Sequence, residues 1–272
     1  MTTTSITESP ERVAPDFDER HIDADGFTIR YEVGGVGSPL LVIHGAGGPI
    51  RTHGLELLAE SYQVHIVELP GFGDTVNDRT SSALDMARTV LALADALGFE
   101  QFDLLGTSMG GVVAAWAAAE APDRIRHLVL EAPAAFRPDS DPSILTPEEI
   151  FSAFHAHPER KTIVPPDPEK SQRSWPLVER LVGPLYDEEL AGRLRHLPVA
   201  TLVMFGTRDG LFGTAPGNEY KRLLASCTFA LIYDAAHDIS GDRPEAFSAT
   251  VSDFLRRGPE FVISNQSTVI YP

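Results

Sequence analysis

QFDLLGTSMGGVVAAWAAA, residues 101–119, changes pattern twice within a short run. Phe102 to Leu105 is an apolar stretch of strand length, Gly106 to Gly110 is a tight turn, and the Ala-rich continuation reads as a helix. The turn Gly106-Thr107-Ser108-Met109-Gly110 fits G-x-S-x-G. A residue on so sharp a strand-to-helix turn is held at strained backbone angles, and its neighbours two positions away must lack bulk. Glycines on both sides let the turn close while the serine hydroxyl stands free at the end of the sheet. The helix that starts at once aims its N-terminal N–H groups and positive dipole end at whatever that hydroxyl attacks. The pattern alone is weak, because Gly and Ser are common in loops. Its setting between a strand and a helix makes Ser108 a candidate nucleophile. A base, an acid and an oxyanion site must then come from elsewhere in the chain.

Toward the N-terminus, Ser82 to Leu97 carries apolar residues at helical spacing, with Gly98 as its stop. Before it stand the strand Val64 to Leu69, a helix around Leu55 to Ala59, and the apolar strand Leu40 to Ile43, which ends in His44-Gly45-Ala46-Gly47-Gly48. Arg20 to Asp23 and Phe27 to Val33 alternate around Asp25-Gly26, a hairpin signal. Residues 1–17 are polar and read as a loose tail. Toward the C-terminus, Ile125 to Leu130 is another buried strand. From 133 to 198 prolines recur among three short helical patterns: Pro147 to Phe154, Trp175 to Val182, and Asp187 to Arg195. The strand Ala200 to Phe205, a helix near Gly217 to Ala225, the strand Phe229 to Tyr233 and the helix Pro244 to Arg257 follow, and 258–272 form a second tail. Strands that alternate with helices and are themselves continuously apolar imply an α/β fold with a largely parallel sheet covered on both faces. The expected division is a core of 18–132 and 199–257, with 133–198 as an excursion over the end of the sheet.

Acidic side chains outnumber basic ones by 39 to 22, for a formal net charge of −17. That balance argues against a nucleic-acid partner and against binding to anionic membranes. One cysteine, Cys227, excludes an internal disulfide and a cysteine-based metal site. MTTTSITESPERV has neither the basic nor the apolar region of a secretory signal, and no run approaches transmembrane length. The expectation is a soluble, cytoplasmic protein, monomer or homodimer, that acts on a small molecule.

In a parallel sheet, ligands sit beyond the carboxyl ends of the strands. His44, Ser108, Glu131, Asp209 and His237 all fall just past such ends, so residues distant in sequence converge on one rim. A serine hydroxyl needs a neighbouring base, and histidine titrates in the right range. Of nine histidines, His237 lies in the small-residue loop Asp234-Ala235-Ala236-His237-Asp238. His155 and His157 fall in the 133–198 insert, where they face solvent or meet substrate; His21, His53, His65, His127 and His196 read as structural. The base needs an acid to hold its tautomer. Asp209, in Phe205-Gly206-Thr207-Arg208-Asp209-Gly210, is the favoured acid, and Glu131 is the alternative. The oxyanion site is expected from the N–H groups of Met109 and Ala46, with His44 bracing that loop and His44, Gly45 and Gly47 lining the substrate site. No metal and no cofactor enter this scheme.

The chain resembles the α/β-hydrolase fold superfamily over about residues 20–257. The resemblance rests on His44-Gly45, Glu68-Leu69-Pro70-Gly71-Phe72-Gly73, Gly106-Thr107-Ser108-Met109-Gly110-Gly111, Gly206-Thr207-Arg208-Asp209, and His237 followed by Arg243-Pro244-Glu245-Ala246-Phe247. It implies a mostly parallel eight-stranded sheet flanked by helices, with a helical lid inserted after the sixth strand. It also implies a Ser108–His237–Asp209 triad. Some relatives take their acid from the end of the sixth strand, where Glu131 stands, and the aspartate-nucleophile branches do not match a serine at 108. The expected activity is cofactor-independent hydrolysis of a small ester or lactone through an acyl-enzyme. In the lid, Phe136, Phe151, Phe154, Trp175, Leu181 and Tyr186 are expected to shape an apolar pocket. The alternatives are C–C bond hydrolysis of the meta-cleavage product type, cofactor-free oxygenase or perhydrolase chemistry, and a ligand receptor without turnover.

Overall fold

The computed structural model describes residues 16–137, 147–160 and 168–260. Most of the two expected tails, residues 1–15 and 261–272, lies outside that set. The hairpin signal produces β1 (Phe17–Ala24) and β2 (Phe27–Gly34), joined by Asp25 at φ 48° and Gly26 at φ 71°. Two left-handed residues give the turn a twist that matches the flanking strands. β2 also pairs antiparallel with β4 (Tyr62–Val67). Beyond it, β3 (Ser38–Ile43), β5 (Phe102–Thr107), β6 (Ile125–Glu131), β7 (Ala200–Gly206) and β8 (Cys227–Ile232) all run parallel. The sheet order is β1-β2-β4-β3-β5-β6-β7-β8.

Parallel neighbours cannot be joined by hairpins, so helices cross between them. These are α1 (His53–Leu58), α2 (Ala83–Ala96) and α3 (Met109–Glu120), then α4 (Pro147–Phe154), α5 (Pro168–Val182) and α6 (Glu188–Leu194) between β6 and β7, and α7 (Pro216–Leu223) before β8. α8 (Ile239–Asp242) and α9 (Pro244–Arg257) close the described chain. Thr52, Ser82 and Asp187 cap α1, α2 and α6, each accepting the N–H three residues on.

The sheet separates two apolar layers, and its parallel strands feed both. Leu41, Ile43 and Leu104 face the layer of α2, α3, α5 and α6, whereas Leu40, Val42 and Leu105 face α1 and α9. Burial on both faces is why these strands read as continuous apolar runs. α3 is enclosed nearly all round by α2, α5, α6 and the sheet, and Ala and Gly let those neighbours approach.

Two helices differ from expectation. α5 begins at Pro168 rather than near Trp175, with Pro176 inside it. Its first half, PEKSQRS, has no apolar period to read, and the buried Leu177, Val178 and Leu181 anchor the second half. α8 is a single turn capped by Asp238, whose carboxylate accepts the Gly241 N–H, too short to leave a periodicity. Among the described residues, no helix is long and apolar enough to cross a membrane.

Candidate active site

Ser108 sits between β5 and α3 at φ 53° and ψ −115°, a region that costs a non-glycine residue about 1–3 kcal/mol. The surroundings hold it there. Its N–H donates to the Glu131 carbonyl at 2.9 Å, and its own carbonyl accepts from Gly111 at 2.9 Å and Ala134 at 3.0 Å. Glycine is required at two flanking positions by close approach. A Cβ on Gly106 would meet the Gly110 carbonyl and lie 2.7 Å from the Ala114 methyl, and one on Gly110 would strike the carbonyls of Ile43 and His44.

The loops after β7 and β8 bring Asp209 and His237 together. His237 is fully buried, and its Nδ1 lies 3.0 Å from Asp209 Oδ2. The other Asp209 oxygen accepts the N–H groups of Leu211 and Phe212, each at 2.9 Å. Asp209 is thus an acceptor at both oxygens, which makes His237 Nδ1 the proton-bearing nitrogen and leaves Nε2 as a base. Nε2 is buried and has no hydrogen-bond partner among the described residues. Two rings flank the imidazole, Phe154 at 5.1 Å and Phe212 at 4.9 Å. Phe212 escaped the sequence reading; its place three residues after Asp209, in a loop that folds back on the acid, was the available signal.

The β3 loop passes beside the serine: a Cβ on Gly45 would lie 3.4 Å from Ser108 Cβ, while Gly47 and Gly48 face open space. Met109 is the first residue of α3, so its N–H has no partner within the helix. His44 is buried, accepts the Leu69 N–H at Nε2 (3.1 Å), and places Nδ1 2.6 Å from the Gly45 carbonyl. Burial lowers its pKa to about 4, so at neutral pH it is an uncharged brace.

Glu131 shares the rim but its hydrogen bonds go elsewhere than His237. One of its oxygens accepts the Thr107 hydroxyl at 2.6 Å and the other the Ser240 N–H at 2.7 Å. Burial raises its pKa to about 7.

The insert residues separate into groups. α4 is stitched to the loops that carry Asp209 and His237: the Ala153 carbonyl accepts from Gly210 N–H at 3.1 Å, and the Phe154 carbonyl from Asp238 N–H at 3.1 Å. Phe151 and Phe154 both contact the His155 ring. His155 Nδ1 lies 3.3 Å from Asp238 and 3.7 Å from Asp242. A cation could be reached by these three groups, but Asp242 Oδ2 already accepts the N–H groups of Ala156 and Ala236, and Asp238 caps α8. His157 pairs with Asp234 at 2.8 Å. Phe136 and Tyr186 contact each other, and Phe136 also packs on Tyr220 of α7. The Tyr186 hydroxyl donates to Glu219. Trp175, expected in the pocket, is instead 54% exposed and donates to Glu179 one turn along α5. Leu181 is buried in the core, where it anchors α5.

A family model described as the alpha/beta hydrolase fold matches residues 38–167. Among curated proteins, the chain is 37% identical over 118 residues to the dihydrolipoyllysine-residue acetyltransferase component of the acetoin cleaving system of Cupriavidus necator, covering 42% of this chain and about a third (32%) of that protein. It is 26% identical to 2-hydroxy-6-oxo-6-phenylhexa-2,4-dienoate hydrolase of Comamonas testosteroni, over 86% of this chain and 93% of that one. To the pimeloyl-[acyl-carrier protein] methyl ester esterase of Vibrio campbellii it is 29% identical, over 83% and 98%. Among solved structures, a serine hydrolase involved in carbazole degradation superposes with a TM-score of 0.75 at 23% identity, covering 89% of this chain and 99% of that one.

Proposed function

We propose that the chain is a hydrolase of the α/β-hydrolase superfamily that cleaves a small ester or lactone through an acyl-enzyme on Ser108, with no cofactor. The observation that carries this reading is the 3.0 Å contact between His237 Nδ1 and Asp209 Oδ2 on the rim that also bears the strained Ser108. His237 Nε2 takes the Ser108 hydroxyl proton as Oγ bonds the carbonyl carbon. The negative charge that develops on the carbonyl oxygen is met by the N–H groups of Met109 and Ala46; one such donor is worth about 3–4 kcal/mol to the transition state. The imidazolium, held by Asp209, returns the proton to the leaving alcohol oxygen as the C–O bond breaks. Water then gives a proton to Nε2 and attacks the acyl carbon; the Oγ–C bond breaks, the Nε2 proton passes to Oγ, and the acid leaves with Ser108 and neutral His237 restored. α4 and α5 form the lid, and Phe154 and Phe212 keep water from the base.

The likeness to a methyl ester esterase over 83% of this chain and 98% of that one supports the ester reading. The likeness to a dienoate hydrolase supports a second one, C–C bond cleavage at the same serine. A fluorophosphonate probe tests the common premise: it labels Ser108, and Ser108→Ala abolishes both labelling and turnover of p-nitrophenyl acetate. Unchanged turnover in that variant ends the proposal. A panel of acyl esters, lactones and ring-fission dienoates then separates the two readings.

A further inference from the structure

Glu131 is buried and makes no hydrogen bond or ion pair to His237, yet it touches both halves of the site. Thr107, whose hydroxyl donates to Oε2 at 2.6 Å, immediately precedes the nucleophile. Ser240, whose N–H donates to Oε1 at 2.7 Å, stands three residues after His237 in α8. The Glu131 carbonyl meanwhile accepts the Ser108 N–H at 2.9 Å, and its strand pairs with β5 at Thr107 and with β7 at Met204. Elements that adjoin Ser108, His237 and Asp209 in the chain therefore meet at this one residue. α8 has little other freedom: a Cβ on Gly54 of α1 would lie 2.7 Å from the Ser240 carbonyl, so that side of the turn is already in contact.

We propose that Glu131 is a positioning residue for the reaction: its carboxyl group spans the gap between the nucleophile turn and α8 and sets the distance from Ser108 Oγ to His237 Nε2. A neutral amide of the same shape can do this, since it accepts the Ser240 N–H through oxygen and donates to the Thr107 oxygen through nitrogen. An alanine cannot. The charged group that faces Glu131 is Asp238, at the start of α8. A carboxyl in this place is a strut whose hydrogen bonds matter more than its charge.

This inference rests on the serine hydrolase reading, and its test keeps the two apart. The full-length protein is compared with Glu131→Ala, Glu131→Gln and Thr107→Val, with enzyme concentration fixed by fluorophosphonate titration of folded protein. The ester assay then gives kcat and KM separately. Expected is a fall in kcat of roughly 10- to 100-fold for Glu131→Ala, with KM within about twofold, because a small misplacement of reacting groups costs that much. Thr107→Val removes one of the two bonds without a change of shape, falls roughly tenfold in kcat, and carries the test if the alanine variant does not fold. Glu131→Gln recovers to within about threefold of the unaltered enzyme. Three results overturn the proposal: an unchanged kcat in Glu131→Ala or Thr107→Val, a KM that carries the whole loss, or a loss in Glu131→Gln as large as in Asp209→Asn. The last would make Glu131 the acid itself. Failure of the probe to label the unaltered enzyme overturns the hydrolase reading, and this proposal with it.

Discussion

Asp209 and Glu131 are both buried carboxylates at the C-terminal ends of adjacent strands, β7 and β6, and only one of them holds the histidine. The loop after β7 curls so that Leu211 and Phe212 satisfy one Asp209 oxygen and leave the other for His237. Glu131 ends its strand one residue before a left-handed turn at Ala132, φ 42°, and spends both oxygens on Thr107 and Ser240. Placement on the rim gives a carboxylate reach. Its role comes from which donors the neighbouring loops bring to it.

The sharpest way to break that contrast is to neutralise each acid in turn. Asp209→Asn is expected to lower kcat by roughly 10,000-fold with the fold intact, because an amide favours the wrong imidazole tautomer. A loss of similar size in Glu131→Gln instead, seen by steady-state kinetics with one ester, would reverse the assignment.

Stability against pH gives the next largest effect. The Glu131 pKa rises from an ordinary 4.5 to about 7, chiefly through burial. Between those values the folded protein keeps a proton that the unfolded chain has released. The resulting stabilisation is fully present below about 4.5 and is lost as pH rises through about 7, a decline on the order of 3 kcal/mol. Glu131→Gln cannot ionise, so thermal melts should show its advantage over the unaltered protein widening from pH 5 to pH 8. A constant difference would mean that the carboxyl does not titrate there.

Phe154→Ala sharpens the Asp209 side of the contrast by removing a ring 5.1 Å from His237. About a tenfold loss of kcat/KM, equivalent to about 1.4 kcal/mol, is expected from admitting water to the base. The smallest effect belongs to Trp175→Ala. Among the described residues this outward ring bonds along its own helix, so kcat/KM should stay within about twofold and stability within about 0.5 kcal/mol. A tenfold rise in KM would return Trp175 to the substrate path.

Much of the architecture was legible because burial on both faces writes itself into the strands as unbroken apolar runs, and because capping residues and glycines mark where helices start and stop. The bounds of α4 and α9 agree with the sequence reading to the residue. The polar first half of α5 and the single turn of α8 left no such trace. Ser108 and His237 stood out as candidates through the small residues around them, which reflect how closely neighbouring backbone approaches. Phe212, Thr107 and Ser240 were not, since nothing local distinguishes a phenylalanine or a hydroxyl that faces a site from one that faces the core.

From its residues alone, the chain specified an alternating α/β sheet and a G-x-S-x-G turn that no bulkier sequence could close, because those outcomes depend on local sterics and on the period of apolar side chains. Sequence order could not decide which of two rim acids meets His237, which aromatic rings flank it, or that Trp175 turns outward. Those are matters of a few ångströms between loops far apart in the chain. Only the packed sheet, which fixes the loops relative to one another, resolves them.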